Sequence, residues 1–204
     1  MRVFDFEQRT PEWYQIRLGR PTASAFSKIM TPTGKPSAQQ EGLINELVHE
    51  LISGEMEWSD PTEAMQRGID LEPRACALYE MVTMNDVEHV GFCLHDSIDA
   101  GCSPDGLIGE HGGLEIKCPL AHNHIGYLRE GKLPSKYVPQ VQGSLWVTGR
   151  EWWDFMSFHP DYPELIVRVN RDDNFIATLE KEVTTLLEKC HNCIREIERR
   201  KNDE

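Results

Sequence analysis

Between residues 87 and 119 the chain is cut by Gly, Pro and Asp into the short β-like runs VEHVGFCLH, IDAGCSPDGLIG and GGLEIKCP. Runs this short, closed by turn residues, pair as a local meander. The flanking sequence keeps a different period. Thr10-Pro11 followed by EWYQIRLG predicts a short helix with Pro at its first position, and Thr22 opens a second, TASAFSKIM. Ser37 with Gln40 predicts a capping box, after which Leu43, Ile44, Leu47, Val48, Leu51 and Ile52 recur at helical spacing up to Gly54. Asp60, Pro61 and Glu63 start another helix, which Pro73 is expected to kink or restart. Val138, Val141, Leu145 and Trp146 restore a helical period, EWWDFMSFH and LIVRVN read as two strands, and a long amphipathic helix runs from Asn174. This order predicts an α+β (mixed α/β) fold, a small central mixed sheet flanked by helices. With no internal repeat or linker, 1–204 is expected to be a single domain.

The chemistry is concentrated in that meander. Glu115 and Lys117 differ by two positions, so on one strand they project from the same face. Asp105, in the turn Ser103-Pro104-Asp105-Gly106, can be brought beside them by a hairpin of this length. Two carboxylates and a backbone carbonyl, the obvious one being Ile116, are the hard oxygen ligands that Mg²⁺ or Mn²⁺ prefers. A lysine beside them can orient or deprotonate a water and offset charge on a phosphate, which suits phosphodiester hydrolysis. Each part has a plain reading too: Glu-x-Lys is commonly an exposed ion pair, and Pro-Asp-Gly is a common turn. Their joint spacing carries the argument.

Charge looks unhelpful to such a substrate. The 204 residues hold 21 Lys+Arg and 34 Asp+Glu, a net charge of −13, which excludes a protein coated in basic surface. The excess is local: residues 41–96 carry thirteen acidic side chains against Arg67 and Arg74, whereas residues 1–40 sum to +3. No apolar run approaches a membrane span, and MRVFDFEQRT has no export-signal pattern, so cytoplasmic placement and reduced thiols are expected for the six cysteines. Cys190 and Cys193 are spaced as CxxC inside a helical pattern, where packed thiols are favoured over a zinc site. His122 and His124 are assigned a loop role ahead of metal ligation.

SPDG…GLEIKCP resembles the active-site signature of the PD-(D/E)xK nucleases, in the version found in the lambda-type exonucleases of the YqaJ-like viral recombinase family. Further blocks are similar to that family in the same order: Glu12-Trp13, Arg17-Leu18-Gly19 and Thr22-Ala23-Ser24; Gly68 and Glu72; and Tyr137, Gln140, Val141, Gln142 with Trp146-Val147-Thr148. The resemblance implies a restriction-endonuclease-like core that degrades the 5′-ended strand of linear duplex DNA with Mg²⁺, Mn²⁺ being able to substitute. It implies that Asp105, Glu115, the Ile116 carbonyl and Glu72 hold metal, that Lys117 positions the attacking water, and that Gln140 contacts the scissile nucleotide. Arg17, Ser24 and Ser103 fall where the family binds the 5′-phosphate, and Met65 where an apolar side chain wedges into the duplex end, although a core role suits a methionine equally. A toroidal homotrimer, a single-strand annealing partner and a phage or prophage origin in a bacterial host are implied in the same way. Two other readings remain: another nuclease of this superfamily (restriction-like, or Cas4-like with an iron–sulfur cluster), and a silent module that binds DNA ends. For the Cas4-like reading, no cysteine follows Cys193; for the silent module, all of Asp105, Glu115 and Lys117 are intact.

Overall fold

Strand β5 (Gly112–Lys117) is the axis on which the larger sheet is built, in a computed structural model that describes residues 1–56 and 60–202. It pairs antiparallel with β4 (Gly106–Ile108) and parallel with β6 (Trp152–Ser157), which pairs antiparallel with β7 (Leu165–Asn170). Gly112 and Gly113 stand opposite Trp152 and Trp153 in that register. A Cβ at Gly113 would lie 2.3 Å from the Trp153 ring, so the glycines are what let two indoles lie against the start of β5. A parallel pair requires a crossover. Here it comprises α5 (Ala121–Glu130), a 3-10 turn over Ser135–Tyr137, and α6 (Val138–Thr148).

Helix α6 is buried along nearly its whole length. Its one interior amide is fully used: Gln142 Nε2 donates to Asn170 O at 2.9 Å, and Oε1 accepts from Asp172 N at 2.9 Å. Two apolar clusters cover the sheet. On one side α4 (Glu63–Thr83) packs Ala75, Cys76 and Tyr79 with Leu114, Ile116 and Met156. On the other, α3 (Gln40–Ser53), α6 and α7 (Asp173–Asn202) bury Leu47, Leu145, Leu179 and Val183 together with Trp153. Cys190 is buried in that second cluster and Cys193 packs against it, both as free thiols. Among the described residues, no helix is long and apolar enough to cross a membrane.

The mixed α+β architecture and the strands at 152–157 and 165–170 match the sequence expectation. Four local expectations are corrected. The meander is divided between two sheets, because β2 (Phe92–Leu94) and β3 (Gly101–Cys102) join β1 (Arg2–Phe4) in a smaller antiparallel sheet. The division falls at Ser103-Pro104, where proline has no N–H to extend the ladder. Of the two outcomes expected at Pro73, a restart does not occur: α4 is one helix from Glu63 to Thr83, and its packing on the sheet outweighs one lost hydrogen bond. The Ser37/Gln40 capping box does not form: Gln40 Nε2 turns to Ile29 O at 2.7 Å and Glu182 at 3.0 Å, tying α3 to α7. His124 lies in α5 and not in a loop, fully buried, with Nδ1 2.7 Å from Ser157 Oγ and Nε2 2.9 Å from Pro163 O.

Two glycines give a paired test of this packing. Gly113→Ala pushes a methyl into Trp153 and should cost about 1–3 kcal/mol in urea unfolding. Gly42→Ala, in α3 with nothing within 4 Å of the new Cβ, should gain about 0.5–1 kcal/mol. Equal effects at both positions would contradict the packing described.

Candidate active site

Asp105 is placed by the hairpin itself. Its N–H donates to Leu114 O at 3.2 Å, and its carboxylate accepts the Ile116 N–H at 2.5 Å, standing where a backbone carbonyl would otherwise be. Glu115, the next residue along β5, is 2% exposed. Its Oε1 accepts from Gln140 Nε2 on α6 at 2.6 Å and forms an ion pair with Lys117 Nζ. Lys117 Nζ also lies 5.6 Å over the Tyr137 ring. Glu72, from α4, lines a cavity of about 270 Å³ with Asp105, Ile116, His89 and Cys76. That cavity shares Glu72, His89 and Asp105 with an adjoining groove of about 400 Å³. The hairpin, α4 and α6 thus bring Glu72, Asp105, Glu115, Ile116, Lys117 and Gln140 into one neighbourhood.

Burial and then the nearby Glu115 push the Asp105 carboxyl well above the usual carboxylate range, with Lys117 offsetting part of the rise. Burial alone would draw the Lys117 ammonium down, but Glu115 and Asp105 outweigh it and hold the pKa above its ordinary value. A buried and a half-buried carboxyl group beside one lysine, which pairs with Glu115, are short of positive charge. Among the described residues no three His, Cys, Asp or Glu side chains converge as a ready metal shell. The donors that could hold a metal are therefore Asp105, Glu115 and the Ile116 carbonyl, with Glu72 at the groove and water completing the shell. An all-oxygen, part-aqueous set of this kind fits Mg²⁺.

A second cluster lies on the other side of Pro104. Arg17, at the end of α1 (Pro11–Arg17), donates from Nη1 to Ser103 Oγ at 3.1 Å and from Nη2 to Thr22 Oγ1 at 3.3 Å. Thr22 Oγ1 is 3.2 Å from Ser24 Oγ. Trp13 donates its indole N–H to Ser103 Oγ at 2.8 Å, and its ring carries the Arg17 guanidinium at 4.1 Å. Arg17 Nε is buried without a partner, and among the described residues no carboxylate forms an ion pair with this side chain. Burial draws its pKa down to about 10. A desolvated cation ringed by hydroxyls is chemically a site for an anion.

Arg17, Ser24 and Ser103 are therefore brought together as the sequence expects, and Met65 is not with them. It stands 60% exposed on the first turn of α4, which removes the core reading, and it precedes Glu72 by two turns. The sequence reading missed Gln8 and Arg9, and it quoted Trp13 and Thr22 as family-like positions without giving them a site role. Trp13 could have been found from its i, i+4 spacing to Arg17. Gln8 could not, because its role is to hold Val90 O at 3.3 Å and Pro104 O at 2.9 Å, far along the chain.

This geometry has recognisable relatives. Residues 12–151 match the YqaJ-like viral recombinase domain. The crystal structure of the alkaline exonuclease LHK-Exo from Laribacter hongkongensis superposes with a TM-score of 0.89 at 37% identity, covering 95% of this chain and 99% of that one. A phage-related exonuclease from Haemophilus somnus 129PT shares the fold at 15% identity and a TM-score of 0.69, over 87% and 96% of the two chains. The uncharacterized Escherichia coli (strain K12) protein ExoD is 29% identical over 68 residues, which are 32% of this chain and 78% of ExoD. The fold class is that of the PD-(D/E)xK-like phage exonucleases. The chain belongs to the YqaJ-like viral recombinase family.

The raised Asp105 pKa has a consequence for stability. Folded Asp105 holds its proton more tightly than the unfolded chain does, so its ionisation removes stability as pH rises from about 4 through the raised native value. Asp105→Asn keeps an acceptor for Ile116 N–H and lacks that loss. In EDTA it should melt above the parent at pH 8, with the gap narrowing toward pH 4 in calorimetry. A variant that melts below the parent at pH 8 would contradict this.

Proposed function

We propose that this nuclease is a Mg²⁺-dependent exonuclease that enters at ends of linear duplex DNA and removes 5′-mononucleotides from the 5′-ended strand. The observation that carries the reading is the pairing of two unlike charge environments across Pro104. A partly desolvated Arg17, with no carboxylate ion-paired to it among the described residues, suits a terminal phosphate dianion together with the hydroxyls of Ser103 and Ser24. A cation-hungry carboxylate pair begins two residues later. The two-residue step spans at most about 7 Å of chain, which favours release of one nucleotide at a time. LHK-Exo has been crystallised with dAMP, a 5′-mononucleotide.

In this reading Arg17, Ser103 and Ser24 hold the 5′-phosphate, and Met65 wedges at the duplex end. Asp105, Glu115, the Ile116 carbonyl and Glu72 hold metal, Mg²⁺ or in its place Mn²⁺, which when bound polarises the scissile phosphate and lowers the pKa of the attacking water. Lys117, kept protonated by Glu115 and Asp105, serves as a donor. It orients the water through a lone pair and offsets charge developing on the phosphate. Gln140 fixes Glu115 and faces the scissile nucleotide. Family membership supports the remaining parts of the proposal: a toroidal homotrimer around the duplex, action in the bacterial cytoplasm, and delivery of the 3′ strand to a single-strand annealing protein in phage recombination.

The test uses linear duplex with a 5′-phosphate, the same duplex without it, and closed circular DNA, each with Mg²⁺ or EDTA. Metal-dependent loss of linear DNA, fastest with the 5′-phosphate and accompanied by mononucleotides, is expected. Cutting of the circle overturns the exonuclease reading, and no digestion at all favours an end-binding module. Lys117→Ala should abolish turnover while DNA binding persists. Arg17→Ala should cut the rate on phosphorylated ends about 10–100-fold, the worth of a charge-assisted contact, with little change on unphosphorylated ends.

A further inference from the structure

Arg9 occupies a conformation that an arginine has no local reason to adopt. Its φ is 69°, in the left-handed region where a Cβ is disfavoured and glycine is the usual occupant. The residues on either side hold it there. Gln8 is fixed to Val90 O and Pro104 O, and Thr10 donates to Glu7 O at 2.7 Å while capping α1. From this pinned position the side chain crosses the groove, and Nη2 meets Glu72 Oε2 at 3.1 Å. The two side chains are 42% and 32% exposed, so as an ion pair they add little stability. A strained residue that brings a cation to a groove carboxylate, without stabilising the fold, points to function.

We infer that Arg9 is a resident counter-cation on Glu72, displaced when a divalent cation takes that carboxylate, and that the DNA backbone is where its guanidinium goes. The inference rests on the groove being the metal and DNA site proposed above. A guanidinium 3.1 Å from the Glu72 oxygen repels a dication ligated to the same group. The strand that reaches Asp105 brings phosphates into the groove that Arg9 lines, and a guanidinium fork matches a phosphate oxygen pair. Transfer of Arg9 from carboxylate to phosphate frees Glu72. DNA therefore raises metal affinity, and metal raises DNA affinity by the same factor. Before DNA arrives, Glu72 is held out of the metal's reach by the chain's own charge.

The experiment is calorimetric titration of Mn²⁺ into the parent, Arg9→Gly, Glu72→Gln and the double variant, at low salt. Glycine suits φ 69°, so Arg9→Gly should fold and, without metal, melt at or above the parent. Without DNA, Arg9→Gly should bind Mn²⁺ about three- to tenfold tighter, the size of one removed charge at a partly exposed site. In the Glu72→Gln background the same change should bring no gain. Added phosphorothioate-ended duplex should tighten Mn²⁺ binding to the parent and change Arg9→Gly much less. Equal or weaker Mn²⁺ binding by Arg9→Gly overturns the inference, as does an equal gain in the Glu72→Gln background or an equal effect of DNA on both proteins. A parent that binds no Mn²⁺ overturns the proposed activity itself, and the inference with it.

Discussion

The hydrogen bond from Ile116 N–H to the Asp105 carboxylate is the contact on which the site depends. It places a carboxyl group inside a β hairpin, next to the buried Glu115, where burial disfavours the charged form of Asp105. Lys117 and Gln140 are responses to that arrangement, since each gives Glu115 a donor it would otherwise lack. The cluster remains deficient in positive charge after both have contributed. That imbalance is what the proposed metal would offset, and until it is offset the cluster costs the fold stability.

What was legible in the sequence follows from how local each determinant is. Glu115 and Lys117 could be placed on one face because a strand has period two, and Asp105 joined them because the hairpin is short. Arg17, Ser24 and Ser103 have no such local signature. They come from a helix end, a 3-10 turn and a strand end, so only the family resemblance linked them. Arg9 was invisible by either route, because its aim depends on a backbone conformation imposed by Gln8 reaching Pro104. The failures at Ser37/Gln40 and at Pro73 share one cause. Local preference was outweighed by packing, of α3 against α7 in the first case and of α4 against the sheet in the second.

The net charge of −13 says little about where DNA could go. What distinguishes the two arginines at the site is compensation and not their number. Arg17 is half-buried with a buried, unpartnered Nε and, among the described residues, no carboxylate in ion-pair contact, whereas Arg9 is balanced by Glu72. The acidic residues 41–96 supply one of these partners, Glu72, from α4. An average over the surface conceals both facts.

Pro104 stands between the two sheets, so Ser103 directly follows the last strand of the smaller one and Asp105 opens the β4–β5 hairpin. The step from Ser103 to Asp105 is thus a covalent length with a proline ring in it, whereas Arg17 and Glu115 are brought to its two ends by α1 and β5. Loosening elsewhere in the fold therefore alters this step less than it alters the distances to Arg17 and Glu115, which folding alone holds.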